Sequence, residues 1–248
     1  MAQDINTIRS YIKQRLLNNN ELYKFHKERR QLMELLQRTI NYGESNSILI
    51  IGPVGVGKTT LINSVIDELS IAGCFNHDSI LVKLHGLIHT DDKLSLRSIT
   101  SQMKLDNAVD GKVFGSFAEN LAFLLACLRK GEKQSSKSVI FVLEGFDLFC
   151  GHHNQTLLYN LFDISQSAQT PVCVLGVTYR LDVIQLLEKR VKSRFSHRQM
   201  FLYPGPGEDE SLNDLDFTLN ILKWYLELPD KASMKIKSAV KKEWNKSI

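Results

Sequence analysis

The sequence predicts an α/β protein, a five-stranded parallel sheet with helices on both faces. Three observations predict it. Short runs rich in Val, Ile, Leu or Phe recur along the chain without clean alternation, helical patterns separate them, and the first run passes directly into a glycine-rich loop and a helix. Strands covered on both faces read as near-continuous apolar runs. Strands that alternate with helices assemble into a parallel sheet flanked by those helices.

Residues 5–18 and 22–42 read as helices. In the second, Leu22, Phe25, Leu32, Leu35, Leu36 and Ile40 fall near a helical period, with Lys27, Arg29, Arg30 and Arg38 largely on other faces. The strands follow at 48–51, 79–84, 139–143, 172–176 and 200–202. Helical patterns separate them at 59–71, 91–103, 114–130, 155–167 and 181–194. The connection between the second and third strands holds two of these patterns, far more than the dozen or so residues a crossover needs. It reads as a functional insertion. After Tyr203 the composition shifts, with Pro204-Gly205-Pro206-Gly207 as a turn or linker. A helical stretch at 217–228 follows, then a tail with Lys231, Lys235, Lys237, Lys241, Lys242 and Lys246. Lysines spaced in this way read as a solvated helix face.

Residues 52–59, Gly-Pro-Val-Gly-Val-Gly-Lys-Thr, match the G-x-x-x-x-G-K-T pattern of a P-loop. A strand precedes it, and the apolar helical pattern of Leu61, Ile62, Val65, Ile66 and Leu69 follows, the context a phosphate loop requires. Glycines 52, 55 and 57 let the backbone turn tightly and aim N–H groups at phosphate oxygens. The helix N-terminus adds partial positive charge at the same place. Lys58 is placed to reach the β- and γ-phosphates, and the Thr59 hydroxyl to hold Mg²⁺. The nucleotide-binding stretch is therefore Gly52, Pro53, Val54, Gly55, Val56, Gly57, Lys58, Thr59 and Thr60, with ATP and Mg²⁺ as the implied cofactors.

Such a loop needs an acidic partner at the end of a buried strand. The run 139–143 ends in Glu144-Gly145-Phe146-Asp147, where the usual pattern is Asp-Glu. Glu144 still offers an oxygen to the metal, directly or through a water. Gly145 carries no base, and a general base contributes about 10²–10⁴ in rate. The site is expected to bind Mg-ATP and hydrolyse it poorly. Gly145→Glu is expected to raise turnover if the rest of the site is in order, and Asp147 is an alternative acid that would face differently.

Composition narrows the class. The 248 residues are 43% hydrophobic and 23% charged, ordinary for a soluble protein, with net charge +4. That balance suits an acidic partner without specifying nucleic acid. Cys74, Cys127, Cys150 and Cys173 lack C-x-x-C spacing and read as free thiols of a reducing compartment. Cys150, His152 and His153 are poorly spaced for a metal. No run is long enough to span a bilayer, and the N-terminus lacks a signal pattern. An intracellular protein without a membrane partner is expected.

Several strings carry a resemblance beyond a generic P-loop. They are 43–53, 112–121, 154–171 and 187–199, the last reading Leu-Glu-Lys-Arg-Val-Lys-Ser-Arg-Phe-Ser-His-Arg-Gln. Together these resemble the AAA+ initiator ATPases of the eukaryotic origin recognition complex over roughly residues 5–203. The resemblance implies N-terminal helices (1–42), an AAA+ core (43–203) and a linker with a partial helical lid and basic tail (204–248). It implies that the rest of the lid and a winged helix are missing, as in a truncated isoform or incomplete gene model. It further implies a nuclear subunit that binds ATP, assembles with other subunits of the complex and helps bind double-stranded origin DNA, weakly in this shortened chain. The Arg of Ser-Arg-Phe, Arg194, would act as an arginine finger in a neighbour's ATP site, with Arg190 one turn earlier on the same helix face. From the residues alone, that basic helix end reads as a solvated face. Thr178 or Tyr179 falls where related ATPases place a polar γ-phosphate sensor. Lys93, Arg97 and Lys104 fall where initiators carry a DNA-facing element, and a solvent-exposed helix is the competing reading. The alternative function is a self-sufficient AAA+ motor or chaperone-like homo-oligomer, against which Gly145 argues. A degenerate scaffold without nucleotide is a third, against which Gly57-Lys58-Thr59 argues.

Overall fold

The computed structural model describes residues 2–17, 24–73, 79–103, 121–122, 124–125, 137–166, 170–204, 214–228 and 238–247. Most of the expected helix at 114–130 lies outside them, as do Lys104, Cys74, Cys127, most of the linker and Lys231, Lys235 and Lys237. The chain divides into two compact units, Phe25–Leu202 and the pairing of Met1–Lys24 with Tyr203–Ile248.

The larger unit contains α2 (His26–Tyr42), β1 (Asn46–Ile51), α3 (Lys58–Ile71), β2 (Ser79–His85), α4 (Asp92–Gln102), β3 (Ser138–Glu144), α5 (Phe146–Phe149), a 3₁₀ turn (His153–Gln155), α6 (Thr156–Gln166), β4 (Val172–Thr178), α7 (Val183–Leu186), α8 (Lys189–Lys192) and β5 (Arg198–Phe201). The five strands form one sheet in the order β2-β3-β4-β1-β5, and every pairing is parallel. Successive side chains leave opposite faces of a strand. Leu49, Ile51, Phe141, Leu143 and Val174 enter a core cluster with Leu96 and Ile99 of α4 and Leu157, Leu161 and Phe162 of α6. The intervening residues Ile48, Ile50, Ile140, Val142 and Leu175 are buried as well. Both faces are thus covered, and that is why the strands read as unbroken apolar runs.

Several boundaries depart from the sequence reading. α2 starts at His26 rather than 22, β1 starts at Asn46 rather than 48, and β5 spans Arg198–Phe201 rather than 200–202. Two further departures have a structural cause. β4 continues past Gly176 to Thr178. A β-carbon on Gly176 would lie 2.4 Å from Leu49 Cδ2 and 2.8 Å from Phe146 Cδ2, so the glycine is a packing site inside the strand rather than its end. The expected helix 181–194 is two short helices broken at Leu187 and Glu188, which have extended ψ of 132° and 150°. The buried Gln155 amide bridges the break. Its Nε2 donates to Leu186 O at 2.7 Å, and its Oε1 accepts from Glu188 N at 2.9 Å.

α4 begins with Asp91, whose carboxylate accepts from Leu94 N at 2.7 Å as an N-cap. The helix ends with Gln102, whose amide meets both backbone groups of Lys83 on β2 at 2.8 Å. β2 is an outer strand of the sheet, and Gln102 pairs with it there.

In the smaller unit, α1 (Ala2–Leu17), α9 (Asp214–Leu226) and α10 (Ser238–Ser247) supply a minor core in which Tyr11, Ile12, Val240 and Trp244 pack on the buried Ile8 and Leu228. The Arg15 guanidinium lies 4.3 Å from the Trp224 ring centroid. Asn245 both accepts from Leu228 N and donates to Leu228 O at 2.9 Å.

Candidate functional site

Two clusters of functional side chains occupy opposite ends of the parallel sheet. At the C-terminal end, β1 passes into the loop 52–57. A β-carbon on Gly52 would meet Leu202 O at 2.4 Å, so only glycine allows the loop to start so close to the chain leaving β5. Gly52 N donates to Thr178 O at 3.2 Å, tying that start to the end of β4. Gly55 and Gly57 have φ of 82° and 103°, the left-handed region open mainly to glycine. Gly57 is the N-cap of α3, so the helix N-terminus faces the loop. Lys58 Nζ donates to Gly52 O and Pro53 O, each at 2.7 Å, and lies across the loop. Burial lowers its pKa from the usual lysine value. Pro53, Val54 and Thr59 are exposed, with Val56 and Thr60 half-buried.

Glu144 closes β3, half-buried, and its carbonyl accepts from Gly86 N at 2.8 Å. β4 lies between β3 and β1, so the ends of β3 and β1 are about 10 Å apart at normal strand spacing. Gly145 has φ 65°, a left-handed turn that starts α5. That turn directs Asp147 to Thr178, whose hydroxyl donates to Asp147 Oδ1 at 2.7 Å. The Thr178 hydroxyl also accepts from Arg180 N at 3.1 Å. Thr178 is 2% exposed and faces this cluster, whereas Tyr179 is 58% exposed. Thr178 is therefore the residue that joins the loop to the acidic strand end. Arg180 pairs with Asp182 through two contacts of 2.9 and 2.7 Å. The oxygen donors Thr59 and Glu144 suit Mg²⁺, which binds through one or two protein oxygens beside phosphate and water.

The second cluster lies at the N-terminal end. Ser196 anchors the start of β5, its N donating to Ser47 Oγ at 3.1 Å. Arg194 precedes it in the turn after α8. Its Nη1 lies 2.8 Å from Asp163 Oδ1, its Nη2 donates to Tyr159 Oη at 2.9 Å, and its guanidinium stands 4.8 Å from the Tyr159 ring centroid. Arg190 is 5.4 Å from the same ring and donates through Nε to Glu188 Oε2 at 2.8 Å. The two arginines do not share the face of one helix, because α8 ends at Lys192. They converge on Tyr159 instead. Tyr159 and Asp163 are one turn apart on α6, far from Arg194 in sequence, and no local pattern around Arg194 pointed to them.

Further residues fall outside both clusters. Lys93 and Arg97 are exposed on α4, one turn apart, while Ser95, Leu96 and Ile99 hold the helix to the core. His152 Nδ1 contacts Asp92 Oδ1 at 2.6 Å, and Asp92 Oδ2 accepts from Leu157 N at 3.0 Å. His152 is thus turned toward α4, and Cys150 Sγ donates to Phe146 O. No group of three potential metal ligands occurs among the described residues. No helix among them is long and apolar enough to cross a membrane.

Comparison with known proteins bears on the family and the fold. The model of the ATPase family associated with various cellular activities (AAA) matches residues 48–203. The chain is 48% identical over 251 residues to origin recognition complex subunit 4 of Rattus norvegicus, covering 99% of this chain and 55% of that protein. It is 50% identical over 230 residues to origin recognition complex subunit 4 of Homo sapiens, covering 93% of this chain and 50% of that one. The chain thus spans about half the length of these relatives. In fold it is similar to a chain of the Drosophila origin recognition complex bound to DNA, with TM-score 0.62 and 15% identity over 96% of this chain and 65% of that one. With its P-loop and five parallel strands, the chain belongs to the AAA family of ATPases, and it is similar in sequence to origin recognition complex subunit 4 of several species.

Proposed function

We propose that this chain is a nuclear, ATP-binding subunit of an origin recognition complex, acting with the other subunits on double-stranded DNA to start replication. Its identity to relatives of that name supports the membership. The observation that carries the mechanism is the separation of the two clusters along the sheet. The loop follows Ile51, and Arg194 is anchored through Ser196 beside Ser47. Five residues of extended strand span roughly 17 Å. That separation supports reading Arg194 as a residue for a neighbour's nucleotide rather than for its own chain's.

At its own site, residues 52–60 wrap the phosphates and Lys58 leaves the loop carbonyls for the β- and γ-phosphates. Thr59 and Glu144 would hold Mg²⁺, which neutralises phosphate charge when bound. Thr178 senses the γ-phosphate while held by Asp147. With Gly145 in place of a base, turnover at this site is slow and bound ATP serves chiefly to hold a subunit interface. At the neighbour's site, Arg194 offers a permanently charged planar fork to phosphate oxygens, with Arg190 supporting it. Lys93 and Arg97 would meet DNA phosphates without reading sequence. The test is ATP turnover by the reconstituted complex beside ATP binding by this chain. Robust turnover by the purified chain alone would overturn the assignment in favour of a self-sufficient AAA+ ATPase.

A further inference from the structure

We infer that Asp163 is a positioning residue for Arg194, setting the direction in which its guanidinium faces the neighbouring nucleotide. The inference rests on the reading of Arg194 as a finger. α6 presents Tyr159, Asp163 and Gln166 at one-turn spacing, along a single face of the helix. All three hold the same residue. Tyr159 and Asp163 take the two terminal guanidinium nitrogens, and Gln166 Nε2 donates to Arg194 O at 2.8 Å. Backbone and side-chain tip are thus fixed from one rigid element.

The donor count explains what is left over. A guanidinium has five N–H groups. One goes to Asp163 and one to Tyr159, while Nε–H is buried with no partner among the described residues. Two remain, one on each terminal nitrogen, matching the two-pronged contact arginine makes with a phosphate. Arg194 keeps 34% side-chain exposure and Asp163 26%, so the pair is partly open to solvent rather than sealed in the core. Without Asp163, the stack on Tyr159 and its single hydrogen bond leave the guanidinium free to rotate about the ring. The carboxylate fixes that rotation before any phosphate arrives.

The test measures hydrolysis of radiolabelled ATP by the reconstituted complex, with kcat and KM separated, for Asp163→Asn, Asp163→Glu, Arg194→Ala and Asp163→Asn combined with Arg194→Ala. Asp163→Asn is expected to lower kcat about 10–100-fold, the loss that follows a misplaced group, with KM unchanged. Asp163→Glu should recover most of it. In the Arg194→Ala background, Asp163→Asn should cost nothing more, because its effect passes through the arginine. A merely structural role would lower complex yield and add to the Arg194→Ala defect, and that outcome overturns the inference. Normal kcat for Asp163→Asn beside a slow Arg194→Ala overturns it alone. An unaffected Arg194→Ala overturns the finger reading itself.

Discussion

At the scale of single residues, the nucleotide loop depends on charge and on backbone freedom in different places. Lys58→Ala removes the cation lying across residues 52–57. ATP binding measured by filter retention should fall below detection, while the thermal midpoint without nucleotide shifts little. Gly145 shows the other dependence. At φ 65° a non-glycine residue is disfavoured by roughly 1–2 kcal/mol, which works against the gain expected of Gly145→Glu. The variant should unfold a few degrees lower, at about 2–4 °C per kcal/mol, and bring no turnover to the isolated chain. Turnover comparable to an active AAA ATPase would show that the turn relaxes to seat the carboxylate. The buried thiols give a third handle. Burial first, and for Cys150 also the charge of Asp147, raises both Cys150 and Cys173 to about 12 from 9.0. A folded thiol that resists ionisation stabilises fully below pH 9, and that contribution fades as pH climbs from about 9 toward 12. Both cysteines should therefore resist iodoacetamide at pH 8 until the protein unfolds. Rapid native labelling at either would contradict their burial.

At the scale of elements, Gln155 decides how the chain reaches Arg194. Its amide replaces backbone bonds across the α7–α8 break, and Gln155→Leu leaves Leu186 O and Glu188 N without it. Both groups are only partly buried, so each costs at most about 1–3 kcal/mol when unpaired, and a drop of a few degrees in thermal midpoint is expected, together with a loss of the neighbour's turnover. Unchanged stability would mean that water replaces the amide. This break was hidden in the sequence because 181–194 has helical spacing throughout and the bridging residue lies in another segment. A glycine weakens a strand signal in the sequence, whereas in β4 Gly176 makes room for Leu49 and Phe146. Elements marked by contiguous residues were legible, including the five strands and the loop with its helix. The Thr178–Asp147 bond and the hold on Arg194 join distant segments, and only the folded sheet brings them together.

At the scale of the whole molecule, the proposed function gives each chain one nucleotide loop of its own and one arginine, Arg194, for a neighbour's loop. Arg194→Ala should leave this chain's ATP affinity unchanged and slow the neighbour's hydrolysis, by about 10³-fold or more if the finger acts as in GTPases. Arg194→Lys should rescue poorly, since an ammonium lacks the planar fork. DNA affinity of the isolated chain is expected to be no tighter than about 10⁻⁶ M at physiological salt and to fall steeply with added salt. Nanomolar, sequence-selective binding by the isolated chain would contradict that.

Gln102 also has a consequence for solubility. A bare outer strand offers its backbone to any extended peptide and seeds aggregation. Lys83 already spends its N–H and C=O on the Gln102 amide, in the middle of β2. The side chain acts as a false strand one residue long, interrupting the row of groups that a foreign segment would need. Gln102→Ala exposes that row while leaving nucleotide binding intact. Light scattering during concentration should then rise earlier for the variant than for the wild-type chain.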